Sequence, residues 1–163
     1  MSAQLADLEA EIISAITGIP ATIPPGRGDA EWTAAIKRAL MGLGKKNGYN
    51  VCGFPPECEN EWLYDMVWYR GVSPGHLREI GMILESEWNR DPYEIRYDFE
   101  KLLIAKSPIK VMVFQDYKDN LPQLWSLLET GIRTFKTEPA SEKYILAGFK
   151  NADYEFEIRT ITV

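Results

Sequence analysis

Apolar residues recur every three or four positions over residues 3–17, at Leu5, Leu8, Ile12 and Ile16, and Gly18 with Pro20 ends the run. That spacing predicts an amphipathic helix. GIPATIPPGRG follows as a Pro/Gly connector too short to separate two domains. Asp29 is then placed to cap a second helix running to about Leu43, with Trp32, Ile36, Ala39, Leu40 and Leu43 on one side and Gly44 and Gly48 as stops.

The period then shortens. YNVCGF, EWLYDMVWYR and HLREIGMILESEW read as extended segments, with FPPECEN and GVSPG as the turns of an antiparallel meander. In DPYEIRYDFEKLLIAKS the helical spacing returns. Asp91 precedes Pro92 at the first helical position, Glu94 falls three residues after the cap, and Ile95, Phe99, Leu102 and Leu103 form the stripe that packs. Pro108 ends it, and IKVMVF is a short apolar run suited to a strand buried on both faces beside a parallel neighbour. A helix over LPQLWSLLETGIRTF and two strands, KYILAGF and YEFEIRTITV, finish the chain. The expectation is one α/β domain over residues 1–163. Its α-β-β-β-α-β core covers about 29–114 as a mixed sheet flanked by helices, with helix 3–17 and residues 118–163 peripheral.

Composition narrows the setting. A chain of 163 residues that is 45% hydrophobic can build a sizeable core. No apolar run approaches the ~20 residues needed to span a bilayer, and MSAQLADLEAEI carries acids where a secretory signal carries basic residues, so a cytoplasmic protein without a membrane partner is expected. Cys52 and Cys58 have neither redox-pair nor zinc-ligand spacing and are expected to be reduced. With 18 basic and 24 acidic residues the net charge is −6, which excludes a global field favouring nucleic acid. Between residues 27 and 46 the balance reverses, with Arg27, Lys37, Arg38, Lys45 and Lys46 against Asp29 and Glu31. That stretch is either a solvated helix face or a local phosphate-binding patch.

The chemistry sits in three acids. Glu85 and Glu87 follow the apolar run Met82-Ile83-Leu84, two apart, so on an extended chain both carboxylates turn to one face and repel. Asp65 lies between Tyr64 and Met66 in the preceding strand. If these strands pair as a hairpin, Asp65 and the glutamates approach each other, because neighbouring strands lie about 5 Å apart. A hard divalent cation relieves such repulsion, and Mg²⁺ or Mn²⁺ held by oxygen ligands suits phosphate chemistry. Trp62, Trp68 and Trp88 flank the acids and either stack on bases or pack in the core, and His76 occupies a turn.

Asp65 followed twenty positions on by Glu85-Ser86-Glu87, on the second and third strands of an α-β-β-β-α-β core, resembles the PD-(D/E)XK nuclease superfamily, the restriction-endonuclease-like fold. EWLYDMVW, ILESEW and DFEKLL also look like small uncharacterised bacterial and phage-type proteins assigned to it. The resemblance implies a metal-dependent nuclease hydrolysing phosphodiester bonds, DNA in the first instance, with a homodimer as an admissible assembly. Asp65 is then the metal-bridging aspartate and Glu85 the second ligand. Tyr64 replaces the motif's proline, and Glu87 stands at the lysine position, where an acid can bind metal or take a proton. Lys101 is the candidate for a lysine moved to the following helix, with Lys106 as its rival, and Glu31 matches an auxiliary acid. The alternative is a non-catalytic interaction or regulatory module on the same scaffold.

Overall fold

The computed structural model describes residues 3–55, 62–72, 75–116, 119–136 and 141–163. Six strands form one sheet in chain order: β1 (Asn50–Cys52), β2 (Met66–Val72), β3 (His76–Glu87), β4 (Ile109–Gln115), β5 (Lys143–Lys150) and β6 (Glu155–Thr162). β1 pairs with β2 and β2 with β3 antiparallel, β3, β4 and β5 are mutually parallel, and β6 returns antiparallel beside β5. The mixed α/β expectation holds in its element order, since α2 (Asp29–Lys46), β1, β2, β3, α3 (Pro92–Ile104) and β4 follow one another as α-β-β-β-α-β.

Alternation along the central strands divides the interior into two cores. Val111, Val113, Ile145 and Ala147 point to the face covered by α1 (Ala3–Thr17) and α2, where Ile12, Ile16, Trp32, Ile36 and Leu40 meet them. Met112, Phe114, Tyr144 and Leu146 point to the other face, under α3 and α4 (Leu121–Thr134), against Phe99, Leu102, Trp125 and Leu128. β4 is buried along its whole length, as a strand with parallel neighbours and helices on both sides must be. The terminal segments expected to be peripheral are part of this core. α1 packs into the first cluster, and β5 is buried at seven of its eight positions.

Local details correct the sequence reading twice in α2. Gly28, not Asp29, is the N-cap, and Asp29 is the first helical residue, where its charge meets the positive end of the helix dipole. Gly44 does not stop the helix. It lies inside it, and a Cβ there would sit 2.8 Å from the Trp68 indole, so glycine admits the buried tryptophan. Gly48, with φ +76°, follows the true end. α3 starts as expected, with the Asp91 carboxylate accepting from Tyr93 N at 2.9 Å and Pro92 in the first turn. Cys52 is disulfide-bonded, against the expectation of reduced cysteines, and Cys58 lies outside the described residues. The FPPECEN turn lies mostly outside them too, as do Ser73 and Pro74 of GVSPG. Among the described residues no helix is long and apolar enough to cross a membrane.

Candidate functional site

Asp65 is delivered to the sheet by a close approach of two backbones. Cys52 pairs with Val67 at the end of the β1–β2 ladder. The next residue, Gly53, has φ +115°, and a Cβ on it would run into the Asp65 carbonyl oxygen. Only glycine meets both demands without distortion. Asp65 precedes β2, where Met66 pairs with Leu84 of β3. Its Oδ2 accepts from Ser86 N at 2.7 Å and from Ser86 Oγ at 2.9 Å. The carboxylate thereby replaces a backbone partner at the fraying end of the hairpin, and this fixes it beside Glu85.

Glu85 and Glu87 do share a face. Both have the parity of Ile83, which packs in the α3–α4 core, so both turn toward α3. Their repulsion is relieved differently at the two positions. Glu85 is only 2% exposed, with the Lys101 ammonium 2.8 Å from its Oε1, although that oxygen receives no well-directed hydrogen bond. Burial pushes Glu85 up to about 8, Lys101 opposes the rise, and the negative charges of Asp65 and Asp98 add to it. Glu87 accepts from Asn89 N at 2.5 Å and hydrogen-bonds Asp98 of α3. Burial raises its pKa, the Asn89 amide lowers it, and the shared hydrogen bond and charge of Asp98 raise it further.

Lys101 is the helix lysine that reaches the acids. Its ammonium bridges Glu85 and Asp98 Oδ1, the latter at 2.9 Å. Burial works against its charge, and the two carboxylates outweigh burial and hold its pKa above that of an ordinary lysine. Lys106 is exposed beyond the helix end. Glu31 is elsewhere: it pairs with Arg27 at 3.1 Å on an exposed surface and lines a separate depression with Thr22, Pro24 and Arg38.

Two residues of the site were not anticipated. Lys37 of α2, expected on a solvated helix face or in a local phosphate-binding patch, is 6% exposed and places its ammonium 3.7 Å from Asp65 Oδ1. Asp98, three residues before Lys101 on α3, joins Lys101 to Glu87. The Tyr64 hydroxyl lies within the same field. Burial raises its pKa, the Glu85 charge adds to this, and Lys101 lowers it. Trp68 and Trp88 are core residues, with Trp88 Nε1 donating to Thr33 Oγ1 at 2.9 Å, while Trp62 is exposed. His76 is exposed at the start of β3.

The expected three-carboxylate cluster is therefore not formed: among the described residues, no three of His, Cys, Asp and Glu converge as a metal-binding group. Asp65 and Glu85 stand on adjacent strands, near enough for the charge of Asp65 to act on Glu85, and Glu87 belongs with Asp98. Beyond Ser86 and Glu87 a cleft of about 650 Å³ opens at the end of β3, walled by Asp29 and Thr33 of α2, Asn89, Arg90 and Gln115. Compared with models of protein families, with curated proteins and with solved structures, the chain has no significant match.

Proposed function

We propose that the protein is a metal-dependent nuclease hydrolysing phosphodiester bonds, with Asp65 and Glu85 as the metal ligands. The observation that carries this reading is that Asp65, bonded to Ser86, stands near enough to Glu85 on the neighbouring strand for its charge to act on that carboxyl, with Lys37 beside the one acid and Lys101 beside the other. Two protein carboxylates suit Mg²⁺, which commonly takes one or two and completes its shell with water and substrate phosphate. The buried Glu85 Oε1, without a well-directed donor, fits such a ligand. Bound there, Mg²⁺ or Mn²⁺ would supply Lewis acidity and an activated water.

The remaining work falls to the chain itself. Ser86 holds the Asp65 carboxylate through two hydrogen bonds and so fixes its direction. Lys101, on the long stem that carries it to Glu85, presents a cation where negative charge builds on a phosphate under attack. Glu87, at the usual lysine position, shares a hydrogen bond with Asp98 and can accept a proton from water once ionised. The α-β-β-β-α-β element order supports the nuclease-like core.

A second reading, a non-catalytic interaction module, is favoured by one observation: each of Asp65 and Glu85 already has a lysine partner, so the acids are charge-compensated by the protein alone. Incubation with single-stranded and duplex DNA and RNA plus Mg²⁺ or Mn²⁺ separates the two. Cleavage above that of a Glu85→Ala protein supports the nuclease, and equal turnover by both supports the module. Calorimetric titration of Mn²⁺ should give a binding isotherm for the wild type and a flat trace for Asp65→Ala.

A further inference from the structure

On the α3 side of the sheet, the β2–β3 hairpin runs out from under its helix. Tyr69 and its partner Ile80 are part-buried against the edge of the α3–α4 core. Leu77, opposite Gly71, continues that face and is 56% exposed. Trp62 lies over Tyr69, with ring centroids 4.8 Å apart and planes inclined by 39°, yet 49% of it remains exposed. Leu63 beside it is 78% exposed. A tryptophan packed on Tyr69 and half exposed offers a π-face to a ligand.

This aromatic apron is continuous with the candidate site. Trp62 precedes Asp65 by three residues, a span of at most about 11 Å, and Tyr64 between them lies in the field of Glu85 and Lys101. Arg78, exposed next to Leu77 at the hairpin bulge, makes no ion pair among the described residues and supplies a cation for a phosphate chain. Duplex bases are stacked on one another and present no free faces to such a surface, whereas unpaired bases do.

We propose that Trp62 and Tyr69 form a stacking platform for unpaired nucleobases, so that the substrate strand is single-stranded or frayed where it approaches Asp65 and Glu85. The inference deepens the nuclease reading and rests on it for the position of the scissile phosphate. The platform binds through base faces, and Arg78 holds the backbone.

The test uses the full chain carrying Glu85→Ala, so that binding is measured without cleavage. Fluorescence anisotropy is recorded with labelled oligo(dT), an abasic strand of equal length and a duplex. Stacking is worth ~1–3 kcal/mol per base, so adding Trp62→Ala should weaken oligo(dT) binding roughly 5- to 150-fold. Trp62→Phe should retain most of it, and the abasic strand should bind weakly to all three proteins. Equal affinity for oligo(dT) and the abasic strand, or no loss with Trp62→Ala, overturns the platform. So does a dimer, found by sedimentation, that Trp62→Ala dissociates, because the patch is then covered by a second copy. Cleavage assays with Glu85 intact keep the two ideas apart. Base-dependent binding without cleavage by any metal-loaded protein sinks the nuclease and leaves the platform, and duplex cleavage indifferent to Trp62→Ala does the reverse.

Discussion

The Lys37 ammonium stands 3.7 Å from Asp65 Oδ1, and it arrives from the face of the sheet opposite to the one from which Lys101 reaches Glu85. Two acids at adjacent strand ends are thus compensated by two helices that do not touch the same core. Lys37→Met should remove a buried charge partner and lower stability by roughly 1–3 kcal/mol. Urea denaturation of Lys37→Met, Asp65→Asn and the double variant checks this. The double variant should be less destabilised than the sum of the single ones, and strict additivity would mean that the two groups do not interact.

Glu85 makes stability depend on pH in an unusual direction. Its carboxyl is pushed up to about 8 by burial, while the unfolded chain releases the same proton near the ordinary glutamate value of 4.5. Between those values the folded state holds a proton that the unfolded state has lost, so stability falls as pH rises through this window and levels off above about 8. Glu85→Gln, neutral at every pH, should therefore gain on the wild type by a few kcal/mol at alkaline pH, with the difference shrinking toward pH ~4. Thermal unfolding across the range measures it. A constant offset would show that folding does not shift the Glu85 pKa.

Proton and cation compete for the same buried carboxylate. Mn²⁺ affinity should then rise about tenfold per pH unit below ~8 and flatten above it. Lys101→Met removes a second competitor and should leave Mn²⁺ binding equal or tighter, while cleavage falls on the order of 10²-fold through loss of charge stabilisation at the phosphate. Parallel calorimetry and cleavage assays separate these effects. A Lys101→Met protein that loses Mn²⁺ binding would assign the lysine to holding the acids in place.

Much of the scaffold was written in periodicity. The α3 cap, its Pro92 start and its apolar stripe are local signals, and each is found in the structure. IKVMVF announced a strand covered on both sides, and β4 is one. What stayed hidden was non-local. Lys37 lies next to Ile36 and three residues before Leu40 on a packed helix, so a lysine inside the buried arc was visible, but its partner is 28 residues away. Glu87 could be assigned to the face of Glu85 by parity, yet its choice of Asp98 depends on how α3 docks on β3. The disulfide at Cys52 gave no spacing signal.

Gly53 links fold and site most directly. At φ +115° its backbone passes against the Asp65 carbonyl, where a methyl group has no space and an L-residue is strained. Gly53→Ala should cost at least about 2 kcal/mol, from the backbone conformation plus displacement of residues 65 and 66. The displacement carries a functional consequence, because Asp65 holds Ser86 through contacts of 2.7 and 2.9 Å and lies beside Glu85 only in that register. Gly53→Ala should therefore weaken Mn²⁺ binding even at temperatures where the variant is fully folded, as judged by circular dichroism. Gly75, also at positive φ but with open space around its Cβ position, supplies the control. Gly75→Ala should show backbone strain in its melting temperature and leave Mn²⁺ affinity unchanged, and equal losses of affinity in the two variants would detach Gly53 from the placement of Asp65.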